Sequence, residues 1–279
     1  MQVVTPELRK WILEQAAAGH SPAVVAEAMR VSGWDEAVAR TALAAALGGQ
    51  AVADLSSAAP PRPLPGSRIN VERPRVPAGD RDVEVLMTMS HPRVVVFGDL
   101  VSAEECAELI ELASERLSRS ETVATRTGAS EVNEARTSDG MFFLPAEFAV
   151  CARLEARLAR LLDWPLENGE GLQILRYRPG AEYKPHYDYF DPAEPGTPAI
   201  LKRGGQRLAS IVCYLNTPEA GGATVFPEAG IEVAPVQGNA VFFSYDRPHP
   251  ATRTLHGGAP VTAGEKWVAT KWMREGRFE

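Results

Sequence analysis

Cysteine, long apolar runs and basic charge are all scarce in this chain of 279 residues. The three cysteines lie far apart and show neither a disulfide pattern nor a zinc spacing, which predicts buried thiols in a reducing compartment. No apolar run approaches the roughly 18 residues of a membrane-spanning helix, so no membrane association is expected. The net charge of −7 argues against binding to nucleic acid or to anionic lipid.

Several common motifs are also missing. G-x-G-x-x-G, Walker and G-x-S-x-G sequences do not occur, which removes the commonest nucleotide-binding and serine-hydrolase interpretations. The N-terminal residues lack the basic-then-apolar pattern of a signal peptide, and a cytoplasmic location is therefore expected. With 45% hydrophobic and 23% charged residues, the composition is that of an ordinary globular protein with one large and one small domain.

The chain divides into three stretches by composition. Residues 1–50 predict a small domain of three short helices, because Ser or Thr followed by Pro marks two helix starts at Thr5 and Ser21. Residues 51–82 are rich in proline and predict a semi-rigid linker. Residues 83–279 form the expected main domain. The small domain is either a structural appendage or a module that binds a substrate or a protein partner.

In the main domain, helices are predicted before a run of short strands. Ser102 and Glu105 form a capping box for one helix, and Pro145 is expected to begin a second, amphipathic helix. The polar residues 119–139 between these helices predict a lid or binding loop. Short strands are then predicted at residues 172–177, 183–188, 207–215, 223–226, 231–236, 240–244, 251–256 and 266–273. This pattern predicts an α+β fold, a double-stranded β-helix (jelly roll) buttressed by helices.

His186 and Asp188 lie two residues apart on a predicted strand, so their side chains share one face. Together they make up two-thirds of the 2-His-1-carboxylate triad that holds non-haem Fe(II), although H-x-D alone often arises by chance. A third ligand must come from a neighbouring strand. His256 is preferred over His249, because His249 lies between two prolines that disfavour a paired strand. Whether His249 contributes stays open.

Lys266 begins the last predicted strand, which is apolar and aromatic. A buried ammonium group needs an anionic partner, and the distal carboxylate of a bound diacid would provide one. If Lys266 is considered alone, the simpler interpretation is that its side chain extends from the start of the strand into solvent.

Four blocks of the main domain resemble the prolyl 4-hydroxylases, a family of 2-oxoglutarate- and Fe(II)-dependent dioxygenases. In chain order they are L-Q-I-L-R-Y-x-x-G-x-x-Y-x-x-H-x-D (172–188), G-G-Q-R-L-A-S-I-V-C-Y-L-N (204–216), G-G-A-T-x-F-P (221–227) and H-G-G-x-P-V-x-x-G-E-K-W-x-x-T-K-W (256–272). Ordered matches at separated blocks are far more specific than H-x-D alone. The similarity runs from about Pro92 to Trp272 and leaves the N-terminal helices outside it.

This resemblance implies a dioxygenase that hydroxylates a C–H bond, above all in peptidyl proline, while 2-oxoglutarate is decarboxylated to succinate with uptake of O₂. Ascorbate is a further candidate cofactor. The implied Fe(II) ligands are His186, Asp188 and His256. The implied co-substrate contacts are Lys266, which would bind the C5 carboxylate of 2-oxoglutarate, and Tyr177, Thr224 and Trp272.

Tyr183 and Arg207 match positions that the family uses at its substrate, so the resemblance implies a peptide or protein substrate, with proline-containing sequences favoured. Two departures from the family pattern lie where that substrate is expected. Arg274 stands where many members have histidine, and residues 193–203 form an insertion. Two alternatives therefore stay open: the same chemistry on another side chain or a free amino acid, and a metal-holding regulatory module without turnover.

Overall fold

The computed structural model describes residues 4–17, 22–32, 34–47, 64–123, 130–132 and 135–279. The chain forms two compact units, Met1–Pro63 with His249–Ala251, and Leu64–Pro248 with Thr252–Glu279. Within the described ranges, no helix has the length and apolar character needed to cross a bilayer.

The smaller unit contains three short helices, as the sequence predicts. They are α1 (Pro6–Ala17), α2 (Pro22–Val31) and α3 (Glu36–Leu47). Thr5 caps α1 by accepting the amide hydrogen of Leu8 on its Oγ1 at 3.2 Å. The second predicted cap, Ser21, lies outside the described residues. The core of this unit is made of Leu8, Ile12, Val25, Met29, Ala39, Ala42 and Leu43.

The larger unit is a jelly roll with helices packed on one of its sheets. Its helices are α4 (Ala103–Ser114), α5 (Ala149–Leu162), α6 (Thr197–Ile200) and the 3-10 turn Leu166–Asn168. A second 3-10 turn, Pro250–Thr252, has its first two residues in the smaller unit. Its strands are β1 (Arg75–Pro77), β2 (Asp82–Met89), β3 (Arg93–Gly98), β4 (Ser118–Arg119), β5 (Glu121–Val123), β6 (Ser130–Val132), β7 (Asp139–Phe143), β8 (Leu172–Tyr177), β9 (Tyr183–His186), β10 (Arg207–Tyr214), β11 (Ala220–Gly221), β12 (Thr224–Phe226), β13 (Ile231–Val233), β14 (Ala240–Ser244), β15 (His256–Gly258), β16 (Val261–Ala263) and β17 (Lys266–Arg274).

Two sheets of this unit pack face to face. The large sheet has the strand order β1-β2-β3-β14-β10-β17-β8-β7-β4, and the small sheet has the order β13-β12-β15-β9. The alternation of side chains along β17 separates two apolar cores. Val268 packs with Tyr214, Phe226 and Phe243 between the sheets, whereas Ala269 joins the core beneath α4 and α5. The α+β jelly roll buttressed by helices is therefore confirmed.

The predicted linker of residues 51–82 is too long at its C-terminal end. Residues 51–63 lie outside the described ranges, but the chain from Leu64 onward belongs to the larger unit. Within it, β1 pairs with β2, and Val76 is buried in the core beneath the helices. Proline is compatible with this strand because β1 lies at the edge of the sheet, where a missing N–H costs no ladder hydrogen bond.

The helix α4 begins as predicted, and α5 begins later than predicted. Ser102 Oγ accepts the amide hydrogen of Glu105 at 3.2 Å, and Glu105 Oε2 accepts that of Ser102 at 3.0 Å, which completes the capping box. Pro145 does not begin α5. It is followed by Ala146 at a positive φ of 55°, and this turn delays the helix until Ala149.

Residues 119–139 are more regular than the predicted lid. The strand β4 ends at Arg119, the first residue of this range, and β7 begins at Asp139, the last residue. Between them, β5 pairs with β6. Residues 124–129 and 133–134 lie outside the described ranges.

Residues 251–256 form a turn rather than the predicted strand. Arg253 has a positive φ of 54°, and the hydroxyls of Thr252 and Thr254 are hydrogen-bonded to each other at 2.9 Å. Left-handed backbone cannot continue an extended strand. His256 therefore begins β15 instead of ending a strand.

Candidate active site

Strand pairing brings the three predicted metal ligands together. His186 ends β9, Asp188 follows two residues later, and His256 begins β15 opposite His186. One potential ligand atom from each side chain lies within 4.8 Å of the other two. Asp188 and His256 are buried, and His186 is partly exposed. This arrangement leaves the cluster open on one side.

Both imidazole rings are oriented by main-chain carbonyls. His186 Nδ1 lies 3.0 Å from the carbonyl oxygen of Lys184, and His256 Nδ1 lies 2.9 Å from that of Thr254. Because a carbonyl oxygen can only accept, each Nδ1 carries the ring hydrogen and each Nε2 presents a lone pair. Metal-binding histidines are held in this way by a second hydrogen bond.

The Asp188 carboxylate faces both of these lone pairs. Its Oδ1 lies 3.4 Å from His186 Nε2, and its Oδ2 lies 3.5 Å from His256 Nε2. With no hydrogen between these atoms at neutral pH, the nitrogen lone pairs and the negatively charged carboxylate repel one another unless a cation lies among them. Two nitrogen donors and one carboxylate, held in this electrostatic arrangement, fit a divalent ion such as Fe(II).

Burial sets the charge states of the cluster. Burial lowers the pKa of His256 to about 4, against a smaller opposing effect of Asp188, so the imidazole is a neutral ligand at neutral pH. Burial alone would raise the pKa of Asp188. At the low pH where Asp188 titrates, positive charge on the neighbouring histidines, helped by Arg207, outweighs burial and holds this pKa well below its usual value. The aspartate is therefore ionised.

Two hydroxyls support Asp188 from beneath. Ser210 Oγ donates to Asp188 Oδ2 at 2.6 Å, and the Tyr245 hydroxyl lies 3.1 Å from Ser210 Oγ. Since Ser210 has already donated its single hydrogen, Tyr245 is the donor in the second contact. Neither residue is singled out by the sequence pattern. The sequence feature that could have pointed to Ser210 is its place within the apolar strand β10, because a buried hydroxyl needs a hydrogen-bond partner.

Lys266 is a buried cation at another part of the barrel interior. Its Nζ donates to the Gly222 carbonyl oxygen at 2.6 Å and lies 5.2 Å and 5.8 Å from the ring centres of Tyr177 and Tyr214. In the described part of the chain, no carboxylate forms an ion pair with it. Burial lowers the pKa of Lys266 to about 8. The site is therefore suited to an anionic group.

Tyr177 lies beside Lys266, and Thr224 is bonded to Tyr214, another neighbour of Lys266; their contact with a co-substrate stays a prediction. Tyr177 is directly opposite Lys266 in the pairing of β8 with β17. Thr224 Oγ1 accepts a hydrogen bond from the Tyr214 hydroxyl at 2.8 Å. Tyr214 thus joins the group, although its role is not evident from the sequence alone.

Trp272 lies elsewhere. It is six residues beyond Lys266 on β17, which corresponds to about 20 Å along a strand. It is paired in register with Ser210, and its ring lies 4.1 Å from the guanidinium carbon of Arg207. Trp272 therefore lies with the predicted substrate residues rather than with the predicted co-substrate contacts. The reason is that six residues of extended strand separate it from Lys266.

Tyr183 and Arg207 both contact the metal-ligand cluster of His186, Asp188 and His256. The Tyr183 ring stacks on His186 with centroids 3.7 Å apart, and the Arg136 guanidinium carbon lies 4.8 Å from the same tyrosine ring. Burial raises the pKa of Tyr183 to about 12, so its hydroxyl keeps its hydrogen at neutral pH. Arg207 Nη1 donates to the carbonyl oxygen of Asp188 at 3.4 Å.

His249 is not part of the cluster that the described residues form. Its Nδ1 accepts the amide hydrogen of Ala251 at 3.0 Å. That imidazole nitrogen therefore stabilises the turn before β15.

Fold and site together define a jelly-roll protein with a non-haem metal centre. Residues 172–274 match the model of the 2OG-Fe(II) oxygenase superfamily. Prolyl 4-hydroxylase 1 of Arabidopsis thaliana is 39% identical over 224 residues, which cover 71% of this chain and 77% of the relative. Probable prolyl 4-hydroxylase 3 of the same plant is 38% identical over 222 residues, covering 72% and 75%. The chain belongs to the 2OG-Fe(II) oxygenase superfamily.

A solved structure supports the same assignment. The viral collagen prolyl hydroxylase of Paramecium Bursaria Chlorella virus-1, in its 2OG complex, is 29% identical and superposes with a TM-score of 0.51 over 65% of this chain and 95% of its own. The family uses Fe(II), 2-oxoglutarate and O₂, so the predicted cofactors are confirmed at the level of the family. Ascorbate stays a prediction.

Proposed function

We propose that this protein is a prolyl 4-hydroxylase that acts on a peptide or protein substrate. The observation that carries the proposal is the combination of the His186, Asp188 and His256 cluster with the buried Lys266 in a relative of prolyl 4-hydroxylases. In the proposed reaction, O₂ and 2-oxoglutarate yield succinate and CO₂. One oxygen atom of O₂ enters succinate, and the other enters a prolyl C–H bond as a hydroxyl group.

His186, Asp188 and His256 would hold the iron. Three protein ligands leave further coordination positions for a co-substrate and O₂. Bound Fe(II) supplies the redox chemistry that the side chains cannot provide. The chain itself keeps the ligands ready: two carbonyl oxygens fix the histidine tautomers, and Ser210 holds one carboxylate oxygen of Asp188.

Lys266 would bind the distal carboxylate of 2-oxoglutarate. Such a carboxylate supplies the counter-charge that this buried ammonium group needs. Tyr177, Tyr214 and Thr224 lie around the same group and offer hydroxyls for further hydrogen bonds. The apolar surroundings strengthen these interactions because they exclude water.

Aromatic and cationic side chains near the cluster would receive the substrate. Tyr183, Arg207 and Trp272 are grouped there, and the rings of Tyr187 and Tyr189 stack 4.9 Å apart close by. Aromatic surfaces suit extended proline-rich peptides, which pay little entropy when they bind. The cytoplasmic location and a partner for residues 1–50 stay predictions.

The test supplies Fe(II), 2-oxoglutarate and proline-rich peptides to the purified protein, and measures succinate while mass spectrometry locates the added oxygen. We expect succinate in step with hydroxyproline for the wild type and neither product for Asp188→Ala. The exposed Asp82→Ala variant serves as the matched control and should behave as wild type.

Two other results would contradict the proposal. Oxygen on a residue other than proline, or on a free amino acid, would indicate the same chemistry with another substrate. Stoichiometric iron without consumption of 2-oxoglutarate, even in the presence of cell extract, would indicate a regulatory module without turnover.

A further inference from the structure

Glu170, just before β8, is a buried carboxylate shared by two arginines. Arg207 binds it in bidentate fashion, with Nε 2.6 Å from Oε1 and Nη2 2.9 Å from Oε2. Arg274, at the end of β17, donates Nη1 to Oε1 at 3.0 Å. Burial would raise the pKa of Glu170, but the two guanidinium groups outweigh burial and lower it. The carboxylate is therefore ionised, and the three side chains carry two positive charges and one negative charge.

The ion pairs with Glu170 fix Arg207 beside the metal-ligand cluster. The Arg207 guanidinium carbon lies 4.1 Å from the Trp272 ring centre and 4.9 Å from that of Phe190. Its Nη1 reaches the carbonyl oxygen of Asp188. Arg207 is thus held by the Glu170 carboxylate, by two aromatic rings and by the main-chain carbonyl of Asp188. Its guanidinium group has little freedom to move.

Arg274 connects this cluster to the insertion of residues 193–203. Its Nη2 donates to the carbonyl oxygens of Ile200, at 3.3 Å, and of Arg203. These carbonyls belong to the end of α6 and the turn that follows it. The Arg274 guanidinium carbon also lies 5.0 Å from the Phe190 ring centre. Arg274 and the insertion are therefore parts of one connected structural feature.

Arginine is required for this connection because of its shape. A planar guanidinium group can donate to a carboxylate and to two carbonyls from one fork, whereas histidine has at most two N–H groups. Lysine keeps the charge but has no fork, and its single ammonium group cannot span acceptors on two sides of the side chain.

We propose that Arg274 is a positioning residue for the substrate that, through Glu170, holds Arg207 beside Asp188 and fastens residues 193–203 to the end of β17. In this role Arg274 does not touch the reacting atoms. It determines which substrates are bound in register with the metal. The inference rests on the proposed hydroxylase function and deepens it.

The test compares Arg274→Lys with Arg157→Lys. Arg157 is a matched control because, like Arg274, it is buried and bonded to both carboxylate and main-chain carbonyl oxygens, here those of Asp80, Glu105 and Leu100. It differs in lying on α5, beneath the other face of the sheet. For each variant we would measure peptide KM, 2-oxoglutarate KM, the ratio of succinate to hydroxyproline, and hydrogen exchange of the amides in residues 193–206.

For Arg274→Lys we expect peptide KM to rise by on the order of tenfold, since small misplacements at a reacting centre are costly. Succinate should exceed hydroxyproline, amides in residues 193–206 should exchange faster, and 2-oxoglutarate KM should stay within about twofold. Arg157→Lys should lower the melting temperature without changing the product ratio or this exchange.

Unchanged peptide KM, product ratio and exchange in a folded Arg274→Lys protein would overturn the inference. So would a loss of stability alone, identical to that of Arg157→Lys. If the wild type itself failed to hydroxylate any prolyl peptide, the proposed function would fail. In that case the exchange measurement would still decide whether Arg274 fastens the insertion.

Discussion

His186 and His256 are direct partners across two antiparallel strands, and their ring centres lie 4.4 Å apart. The pairing of β9 with β15 therefore brings the two histidines of the metal-ligand cluster together. Any change that separates these strands should weaken metal binding, even when all three ligand side chains are kept.

Gly257→Ala provides such a change. A Cβ atom at Gly257 would lie 2.8 Å from the carbonyl oxygen of Tyr183 and 3.1 Å from the nitrogen of Pro185, both main-chain atoms of the facing segment. The strands must then move apart, because main-chain atoms cannot rotate away. We expect a loss of metal affinity of about tenfold or more, measured by competition with a chromophoric chelator. Gly66→Ala is the control, since nothing lies within 4 Å of its added methyl group. Equal affinities for the two variants would contradict this account of the cluster.

Ser210→Ala should weaken the metal site from beneath. It removes the 2.6 Å hydrogen bond to Asp188 Oδ2 and leaves the Tyr245 hydroxyl without its acceptor. Loss of such a supporting contact typically lowers metal affinity or activity by about 10- to 100-fold. Ser114→Ala, which removes an exposed hydroxyl bonded within its own helix, should leave both quantities unchanged. An unaltered Ser210→Ala enzyme would show that Asp188 needs no such support.

Lys266 should make stability depend on pH in the absence of 2-oxoglutarate. Burial lowers its pKa to about 8, below the value of about 10.4 for an unfolded lysine. Between these two values the unfolded chain binds more protons than the folded protein, so stability should rise as pH increases through this window. Urea unfolding at several pH values should reveal this rise in the wild type and its absence in Lys266→Met. Parallel pH profiles for the two proteins would contradict the prediction.

Binding of 2-oxoglutarate should be linked to the same proton. An anion beside Lys266 favours the charged amine, so binding above about pH 8 should take up a proton. Calorimetry in buffers of different ionisation enthalpy measures this uptake. Lys266→Arg should bind without it, because arginine stays charged. Binding with no proton uptake by the wild type would place the carboxylate away from Lys266.

The buried pair of Lys271 and Glu155 should contribute to stability rather than to activity. Lys271 Nζ lies 2.5 Å from Glu155 Oε1, and the pair lies beneath the sheet, on the face of β17 opposite Trp272. Lys271→Met leaves a buried carboxylate unpaired and should cost about 3–5 kcal/mol in the free energy of unfolding. Adding Glu155→Gln removes the stranded charge and should recover part of this loss. A cost below about 1 kcal/mol for the single variant would contradict the prediction.

Local features of the molecule follow directly from the order of residues. The capping box of Ser102 and Glu105 spans one helical turn, and His186 and Asp188 share a face because strand side chains alternate. The apolar strands β8, β10 and β17 are likewise readable, because their hydrophobic runs end at Gly or Pro. These features depend on near neighbours in the chain.

The errors occur where distant parts of the chain decide the outcome. Val76 forms part of a strand within the predicted linker because it packs against the helix-side core. Trp272 belongs beside Arg207 rather than Lys266 because the length of β17 separates them. A composition or motif carries no information about such distances.

By itself, then, the sequence determined the jelly roll, and it predicted the metal-ligand types and a lysine for the co-substrate, since each follows from periodicity or from matched blocks. The tertiary structure alone decided that Ser210 supports Asp188 and that Arg274 reaches Arg207 through Glu170. These contacts join residues far apart in the chain, and their partners are set by strand register and by the need of each buried polar group for a counterpart.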